Sequence, residues 1–414
     1  MDGLYMHIPF CFHKCHYCDF FSVVDNPPED SGVKVSGFRG DRQAAFVDGL
    51  ERELRWAVGL AQQRRQAAGQ AEGFFADRST SEQTFGVETS GGGVVFVGGG
   101  TPTLLREPLW RRLLATMRGL GLLDRVQEFT VEANPETVTP ELLATLRQAG
   151  VNRLSMGAQS FDARHLKTLE RWHDPARVGE SVATARAAGF DNLNLDLIFA
   201  VPGQTMQDLQ RDIETLLSLE VEHLSCYSLI FEPKTPMHRK LQMGRISAVG
   251  EELEAAMYEY VIDALTAAGY EHYEVSNFSR PGRQCRHNLM YWQSGNWLGV
   301  GPSASSHVAG VRWKNRADLR AYIGKAPEHP IEDVEQLPQA RRLGEQLMMH
   351  IRLIAGVPQS LLDELPASDP RRATLAELLE LRLLERTSAG ETSGGVKLTR
   401  RGLMVADAIA AKLL

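Results

Sequence analysis

The sequence lacks the features that mark membrane, secreted and general nucleic-acid-binding proteins. No stretch approaches the roughly 20 apolar residues that a membrane helix needs, and no charged segment followed by an apolar one opens the chain as a secretion signal would. No block of five or more basic residues occurs, and the formal net charge is −7. We therefore expect a protein with no membrane span and no nucleic-acid partner.

Cysteine is also scarce, and its distribution argues against a disulfide framework. Three of the five cysteines, Cys11, Cys15 and Cys18, lie within eight residues, whereas Cys226 and Cys285 are isolated. Because an odd number of clustered cysteines suits a reducing compartment, we predict a cytoplasmic protein. A lone cysteine is more often a small buried apolar residue than a ligand, so Cys226 and Cys285 are interpreted as structural.

The three clustered cysteines follow an apolar segment of strand character. This segment ends at Pro9, which has no N–H to continue a strand ladder, so the cysteines are expected on the loop just past the carboxyl end of a strand. Three thiolates on such a loop can hold an iron–sulfur cluster with one iron left open. The alternative is a zinc site completed by one of three nearby histidines, His7, His13 and His16.

A strand-then-helix pattern repeats through the first 235 residues. Predicted strands cover residues 4–8, 94–97, 129–131, 153–156, 193–199 and 224–230, with apolar-periodic segments between them. This alternation predicts a parallel sheet with right-handed crossovers. Residues 67–93 lack periodicity and are rich in Gly, Ser and Thr, which predicts an insertion.

The cysteine loop carries the first resemblance to a known family. The segment CFHKCHYC resembles the CxxxCxxC signature of the radical SAM superfamily, and YMHIPFCFHKCHYCDF resembles its coproporphyrinogen oxidase branch. In that superfamily, the open iron of a 4Fe–4S cluster binds the amino and carboxylate groups of S-adenosylmethionine. Oxygen-independent coproporphyrinogen III oxidases carry a further cysteine where this chain has Phe20, and the Cys-Asp-Phe ending is instead similar to HemW-type heme chaperones.

The resemblance implies a set of cofactor-binding residues near the strand ends. The GGGTP segment resembles the motif for the amino-acid end of S-adenosylmethionine, and the other positions match residues that hold its nucleoside or carboxylate or that flank the cluster. The implied cluster ligands are Cys11, Cys15 and Cys18, and the implied cofactor contacts are Tyr5, Tyr17, Gly99, Gly100, Thr101, Glu132, Gln159, Arg171 and Asp196.

Asp196 also stands out without the resemblance. It lies inside an apolar strand, and a carboxylate buried without a partner is costly, so a ligand or a cation is expected beside it. An internal ion pair is the ordinary alternative.

A further motif, Arg286-His287-Asn288-Leu289-Met290-Tyr291-Trp292, resembles the HNxxYW string of the chaperone branch. His287 is a candidate heme ligand, because histidine is the commonest proximal ligand of heme, while tyrosine and tryptophan offer stacking area. The alternative is a histidine that is hydrogen-bonded within a turn.

The resemblance also implies the architecture. The expected fold is an α/β open partial (β/α)6 radical SAM barrel over residues 1–235, an extension carrying the HNxxYW motif over 236–330, and a small, mostly α, winged-helix-like domain over 331–414. In these later parts the residue pattern predicts a strand over 270–278, helices over 339–353 and 371–385, and a β-wing at 396–399.

Three functions compete at this point. The first is a heme chaperone that binds a 4Fe–4S cluster, S-adenosylmethionine and heme or another tetrapyrrole, and delivers heme to an acceptor protein. The second is a radical SAM enzyme that decarboxylates coproporphyrinogen III oxidatively. The third is a zinc-stabilised module that binds nucleic acid through its C-terminal tail, which the acidic chain disfavours. Phe20 favours the chaperone over the enzyme.

Overall fold

The computed structural model describes residues 2–25, 41–68, 93–387 and 394–414. The insertion predicted over residues 67–93 therefore lies almost entirely outside the described residues.

The first half of the chain alternates strands with helices, as its residue pattern predicts. Its elements are β1 (Gly3–Ile8), β2 (Phe10–Cys11), β3 (Val23–Val24), α1 (Arg42–Ala68), β4 (Gly93–Gly99), α2 (Glu107–Gly119), β5 (Val126–Ala133), α3 (Pro140–Gln148), β6 (Arg153–Gln159), α4 (Ala163–Thr168), α5 (Pro175–Ala187), β7 (Leu193–Phe199), α6 (Met206–Ser218) and β8 (His223–Ser228).

The second half is mixed, with short antiparallel strands and helices. Its elements are α7 (Pro236–Gln242), α8 (Glu251–Ala267), β9 (Glu271–Glu274), β10 (Asn277–Ser279), α9 (Arg286–Trp292), β11 (Trp297–Val300), β12 (Ser305–Val308), β13 (Val311–Asn315), α10 (Leu319–Lys325), β14 (Ile331–Gln336), α11 (Gln339–His350), α12 (Gln359–Asp363), α13 (Arg371–Glu380), β15 (Leu384–Arg386), β16 (Val396–Leu398), α14 (Arg400–Leu403) and α15 (Ala406–Leu413).

One large sheet organises the molecule. Strands β1, β4, β5, β6, β7 and β8 are parallel neighbours in that order, which confirms the predicted run of β/α units. Beyond the prediction, β11 pairs with β1 in parallel and leads into antiparallel β12, β13 and β14, while β10 and β9 extend the opposite edge. The carboxyl ends of the parallel strands thus share one side of the sheet, where ligands of such folds bind.

Local sequence signals explain where the helices begin. The Thr139 hydroxyl accepts a hydrogen bond from the backbone N–H of Leu142 at 3.2 Å, and Pro140 occupies the first helical position of α3. Thr205 and Asp208 form a reciprocal capping box at the start of α6. These caps fix the helix starts beside the strand ends, and hence the loops that face the site.

Two predicted elements of the second half are wrong in extent. The strand predicted over 270–278 is split into β9 and β10, because the Glu274 carboxylate accepts hydrogen bonds from Asn277 and from the Ser276 N–H and so stabilises a turn. The helix predicted over 371–385 ends at Glu380, because Arg382 has a left-handed backbone with φ +54°, and β15 follows.

The C-terminal region has an apolar core of its own. Residues Leu347, Ile351 and Leu378 are buried in a cluster separate from the main one, and β15 pairs with β16 as the predicted wing. The guanidinium of Arg352 lies 5.0 Å from the ring centre of Trp292, so this region contacts α9. The division at residues 235 and 330 stays a prediction. No helix among the described residues is long and apolar enough to cross a membrane.

Candidate functional site

A cavity of about 860 Å³ lies at the carboxyl ends of the parallel strands, beside the cysteine loop. It brings together most of the residues that the sequence nominates. The predicted site residues that line it are Cys11, Cys15, Cys18, Tyr17, Gly99, Gly100, Thr101, Glu132, Gln159, Arg171 and Asp196. Tyr5 and His287 do not line it.

Backbone pairing fixes the cysteine loop against the sheet. The short strands β2 and β3 pair in parallel, and the N–H of Thr101 donates to the Phe10 carbonyl at 2.7 Å. The Thr101 hydroxyl lies 3.6 Å from Cys11 Sγ, and Arg171 Nη1 lies 3.8 Å from Cys15 Sγ. Donors directed at sulfur stabilise thiolate, which is the form that binds metal.

Without a metal, the Cys11 and Cys18 thiols hold their protons. Burial raises the pKa of Cys18 to about 12 and also raises the pKa of Cys11, because a thiolate is poorly solvated there. Binding a metal centre would therefore release protons.

Two of the three nearby histidines, His7 and His16, have polar partners at ring nitrogens, which argues against a zinc site completed by either of them, whereas His13 Nε2 has no hydrogen-bond partner among the described residues. His7 Nε2 donates to the Phe21 carbonyl at 2.8 Å and its Nδ1 lies 3.2 Å from the Tyr5 hydroxyl, so both ring nitrogens are engaged. His13 stacks on Trp172 with ring centres 4.1 Å apart. His16 Nδ1 lies 2.9 Å from the Lys240 ammonium. Burial also lowers the pKa of His7 to about 4.

The spacing of the sulfur atoms points the same way. Tetrahedral zinc, with Zn–S bonds of about 2.3 Å, holds two sulfur atoms about 3.8 Å apart. Within the described ranges, the one group of three donors whose atoms all lie within 4.8 Å of one another is Asp162, His165 and Asp208, so the three cysteine sulfurs do not all lie within that distance of one another. The loop therefore does not hold its three sulfurs at the close spacing of a single tetrahedral zinc site.

The glycine triplet has a packing role that the sequence did not indicate. A Cβ on Gly100 would lie 2.7 Å from the Phe10 carbonyl oxygen, and one on Gly98 would lie 2.7 Å from a Glu132 oxygen. Gly99 has φ +108°, a conformation that side chains disfavour. The glycines therefore let the cysteine loop and Glu132 approach β4 closely.

Two of the carboxylates that line the cavity, Glu132 and Asp196, are among the residues predicted from the sequence. Glu132 accepts a hydrogen bond from the Gly99 N–H at 3.0 Å, and burial together with the negative charge of Asp196 raises the pKa of Glu132 to about 7. Asn194 Nδ2 donates to Asp196 at 2.7 Å, and burial raises the pKa of Asp196 also. Within the described residues neither carboxylate forms an ion pair within 4.0 Å, so the internal ion pair weighed for Asp196 is not formed.

Gln159 and Arg171 meet at a glycine. A Cβ on Gly157 would collide with Gln159 Nε2 and would lie 2.9 Å from Arg171 Nη2. Arg171 Nη2 donates to the Gly157 carbonyl at 3.0 Å, and Gln159 has a left-handed backbone with φ +64° at the end of β6. Gly157 thus leaves room for both side chains, and the unusual backbone of Gln159 lies at the site.

Tyr5 and His287 lie together outside the lining of the cavity. The His287 ring stacks on Phe96 with ring centres 4.5 Å apart and on Tyr5 at 6.1 Å, and Tyr291 meets its edge at 4.4 Å. His287 is 2% exposed, and neither ring nitrogen has a hydrogen-bond partner. Burial lowers its pKa to about 3. The imidazole is neutral there, and its contact Phe96 does line the cavity.

Sequence reasoning missed further lining residues. Arg153 is 2% exposed and lines the cavity from the start of β6. Its signal was available, because Arg153, Ser155, Gly157 and Gln159 alternate along one strand face. Large exposed apolar side chains also line the cavity and had no periodic signal: Phe12, Phe20, Trp172, Tyr227 and Ile230.

Comparison with known proteins places this geometry in a class. The radical SAM superfamily model matches residues 83–216. The coproporphyrinogen III oxidase HemN from Escherichia coli, a solved radical SAM enzyme, is similar with a TM-score of 0.75 and 21% identity, covering 99% of this chain and 89% of HemN. Fold and cysteine loop together define a radical SAM protein with the predicted open partial barrel.

Curated relatives narrow the class to one family. The heme chaperone HemW of Mycobacterium tuberculosis (strain H37Rv) is 35% identical over 417 residues, covering 100% of this chain and 94% of the relative. HemW of Bacillus subtilis (strain 168) is 36% identical over 361 residues, covering 86% and 85%. The chain belongs to the HemW family of heme chaperones within the radical SAM superfamily. Membership implies a 4Fe–4S cluster and S-adenosylmethionine.

Proposed function

We propose that this protein is a cytoplasmic heme chaperone that carries a 4Fe–4S cluster on Cys11, Cys15 and Cys18, binds S-adenosylmethionine in the adjoining cavity, and delivers heme to an acceptor protein. The observation that carries the proposal is the 35% identity to a heme chaperone over the whole chain. Five free cysteines among the described residues are compatible with a reducing compartment.

The chain's own residues divide the work of binding S-adenosylmethionine. When bound, the cluster supplies an open iron for the amino and carboxylate groups of that cofactor. Glu132 lies beside the Gly99 N–H and is positioned to accept hydrogen bonds from ribose hydroxyls. Arg171, which touches both Cys15 and the Gly157 carbonyl, is positioned to hold an anionic group next to the cluster loop.

Heme needs an axial donor and an apolar surface. His287 stays the proposed donor, since neutral imidazole is the form that ligates iron, although a buried ring requires α9 or Phe96 to move first. The exposed side chains of Phe12, Phe20 and Trp172 offer apolar area at the cavity. Phe20 stands where the oxidases have a further cysteine, so the chain lacks that thiol.

The function is tested on protein reconstituted with iron and sulfide under strictly anaerobic conditions. We expect the reduced protein to bind heme, to transfer it to an apo-acceptor such as apomyoglobin, and to leave coproporphyrinogen III unchanged in the presence of S-adenosylmethionine and a reductant. Decarboxylated product would restore the oxidase function. Absence of heme binding would refute the chaperone.

The axial ligand is tested separately with His287→Ala. We expect a shifted Soret band and faster loss of heme, because the proposed nitrogen donor is removed. His350→Ala is the matched control, since His350 is also buried but lies in α11, away from the cavity lining. A Soret spectrum of His287→Ala identical to that of the parent would move the ligand to another residue.

A further inference from the structure

Arg153 is a buried cation, and it has no hydrogen-bonded partner in the part of the chain that the structure describes. Its side chain is among the largest fully buried ones, and its Nε atom has no hydrogen-bond partner among these residues. Among the described residues it forms no ion pair within 4.0 Å, yet it lines the cavity. A buried guanidinium normally binds a carboxylate or a phosphate through its forked donors, because an unpaired buried charge is costly.

Two acidic groups near Arg153, Glu128 and Asp196, accept hydrogen bonds from other donors. Both oxygens of Glu128 accept backbone N–H groups at the start of α9, from Arg286 at 2.9 Å and from His287 at 3.1 Å. Asp196 accepts from Asn194 at 2.7 Å. Glu128 and Asp196 act on Arg153 through space rather than by contact. The Cys285 thiol and the Tyr273 phenol beside it are neutral, because burial raises the pKa of both groups. The guanidinium is therefore electrostatically supported but has donors left for a ligand.

The backbone of Arg153 lies at the start of β6. It precedes Gly157 by four residues on β6, which at about 3.3 Å per residue places it about 13 Å further along the strand. The Gly157 carbonyl is the partner of Arg171, which in turn contacts Cys15. The cavity is thus lined by one arginine that contacts the cluster loop and by a second one whose backbone lies at the start of β6.

We infer that Arg153 binds a carboxylate of a ligand that enters the cavity in addition to S-adenosylmethionine, and that this carboxylate is a propionate of the tetrapyrrole. The inference rests on the proposed function. Arg171, which contacts Cys15, is the cation placed for the methionine carboxylate at the cluster, and this leaves Arg153 for a second carboxylate. A tetrapyrrole is amphiphilic, and its apolar ring suits the exposed Phe12, Trp172 and Ile230, while a propionate suits the buried guanidinium.

The test compares heme with heme dimethyl ester, which lacks the propionate charge, on anaerobically reconstituted parent, Arg153→Met and Arg153→Lys. We expect Arg153→Met to bind heme about ten- to hundredfold more weakly than the parent does. We expect the variant and the parent to bind the ester with the same affinity. Arg153→Lys should fall between, because it keeps the charge but loses the forked donors. S-Adenosylmethionine affinity, measured by calorimetry, should not change.

Arg280→Met is the control for loss of an arginine, since that guanidinium stacks on Tyr270 at 4.1 Å and does not line the cavity. If the parent binds heme, and Arg153→Met has the same ratio of heme affinity to ester affinity as the parent, the inference is overturned. A weakened affinity for S-adenosylmethionine, with heme unaffected, assigns the guanidinium to that cofactor instead. A parent that binds no heme overturns both this inference and the proposed function. If Arg153→Met fails to fold, the comparison is made with Arg153→Lys. An equal ratio of heme affinity to ester affinity in the parent and in Arg153→Lys then overturns the inference about Arg153.

Discussion

Two glutamates in different parts of the molecule have the same raised pKa but different surroundings. Glu53, on α1, and Glu132, on β5, both have a pKa of about 7, in each case chiefly because of burial. Glu53 accepts hydrogen bonds from the Tyr322 hydroxyl at 2.6 Å, the Gly301 N–H at 2.8 Å and Asn315 Nδ2 at 2.9 Å. Glu132 accepts one, from Gly99.

The difference separates a structural carboxylate from a binding one. A raised pKa by itself marks both residues and so cannot identify the site. Unfilled hydrogen-bonding capacity beside a cavity distinguishes Glu132, and it distinguishes Arg153 in the same way. The Glu53 network ties α1 to β13 and α10, so its loss should reduce stability, whereas the loss of Glu132 should reduce binding.

The largest expected effect concerns the cysteines, which also divide into residues proposed to bind a ligand and residues with a structural role. Cys15→Ala should abolish the brown absorbance of the reconstituted cluster, because a proposed ligand is lost, while Cys226→Ala should retain it, because Cys226 is buried in the apolar core. Iron and acid-labile sulfide per chain, measured with the absorption spectrum, check both. A full cluster in Cys15→Ala would contradict the ligand assignment.

Glu53→Ala should lower the free energy of unfolding by about 3 to 5 kcal/mol, because three buried donors lose their acceptor. Urea unfolding of the parent and the variant, both without cofactors, measures this change in the free energy of unfolding. Glu214→Ala on the exposed face of α6 is the control and should stay within about 0.5 kcal/mol of the parent. A loss under 1 kcal/mol in Glu53→Ala would show that the network contributes little.

Glu132→Ala should weaken S-adenosylmethionine binding about ten- to hundredfold, since a hydrogen bond to a charged group contributes about 1.5 to 3 kcal/mol. The cluster should survive, because Glu132 is not among its proposed ligands. Titration calorimetry on the reconstituted protein measures the affinity. Equal affinity in the variant and the parent would make Glu132 a structural residue like Glu53.

The pH dependence of stability provides the smallest expected effect. Folded Glu132 keeps its proton up to a pKa of about 7, whereas the unfolded carboxyl loses it near 4.5, so the folded state binds more protons in this window and loses stability as pH rises. Relative to Glu132→Gln, the apo parent should lose about 1 kcal/mol between pH 6 and pH 8. If the difference in free energy of unfolding between the parent and Glu132→Gln stays constant from pH 6 to pH 8, or changes in favour of the parent, the carboxyl is ionised throughout that range.

The sequence predicted the elements whose signals are local. Pro9 after an apolar strand, Thr139 and Pro140 before α3, and the spacing of three cysteines each carry a physical meaning over a few residues. The sheet partners β11 to β14 were not predicted, because pairing with β1 depends on contacts between distant parts of the chain. The end of α13 depended on the backbone of Arg382, which sequence pattern does not specify.

At the site, sequence identified the residue types but not their exposure. Eleven of the thirteen nominated residues line the cavity, and the two exceptions, Tyr5 and His287, pack against each other beside Phe96. Burial of a ring behind its neighbours is a tertiary property that a motif does not encode. Arg153 was missed although it alternates with Ser155, Gly157 and Gln159 along one strand face, because charged residues are mostly exposed and this one is buried.

Hydrogen exchange by mass spectrometry, with and without S-adenosylmethionine and heme, tests most directly whether ligands bind in the cavity beside the cysteine loop. The reconstituted parent should show slower exchange on ligand addition in peptides covering residues 11–20, 98–104 and 153–160, and no change in peptides covering the Glu53 partners at 297–315. Protection confined to 297–315, with the cavity peptides unchanged, would contradict the account.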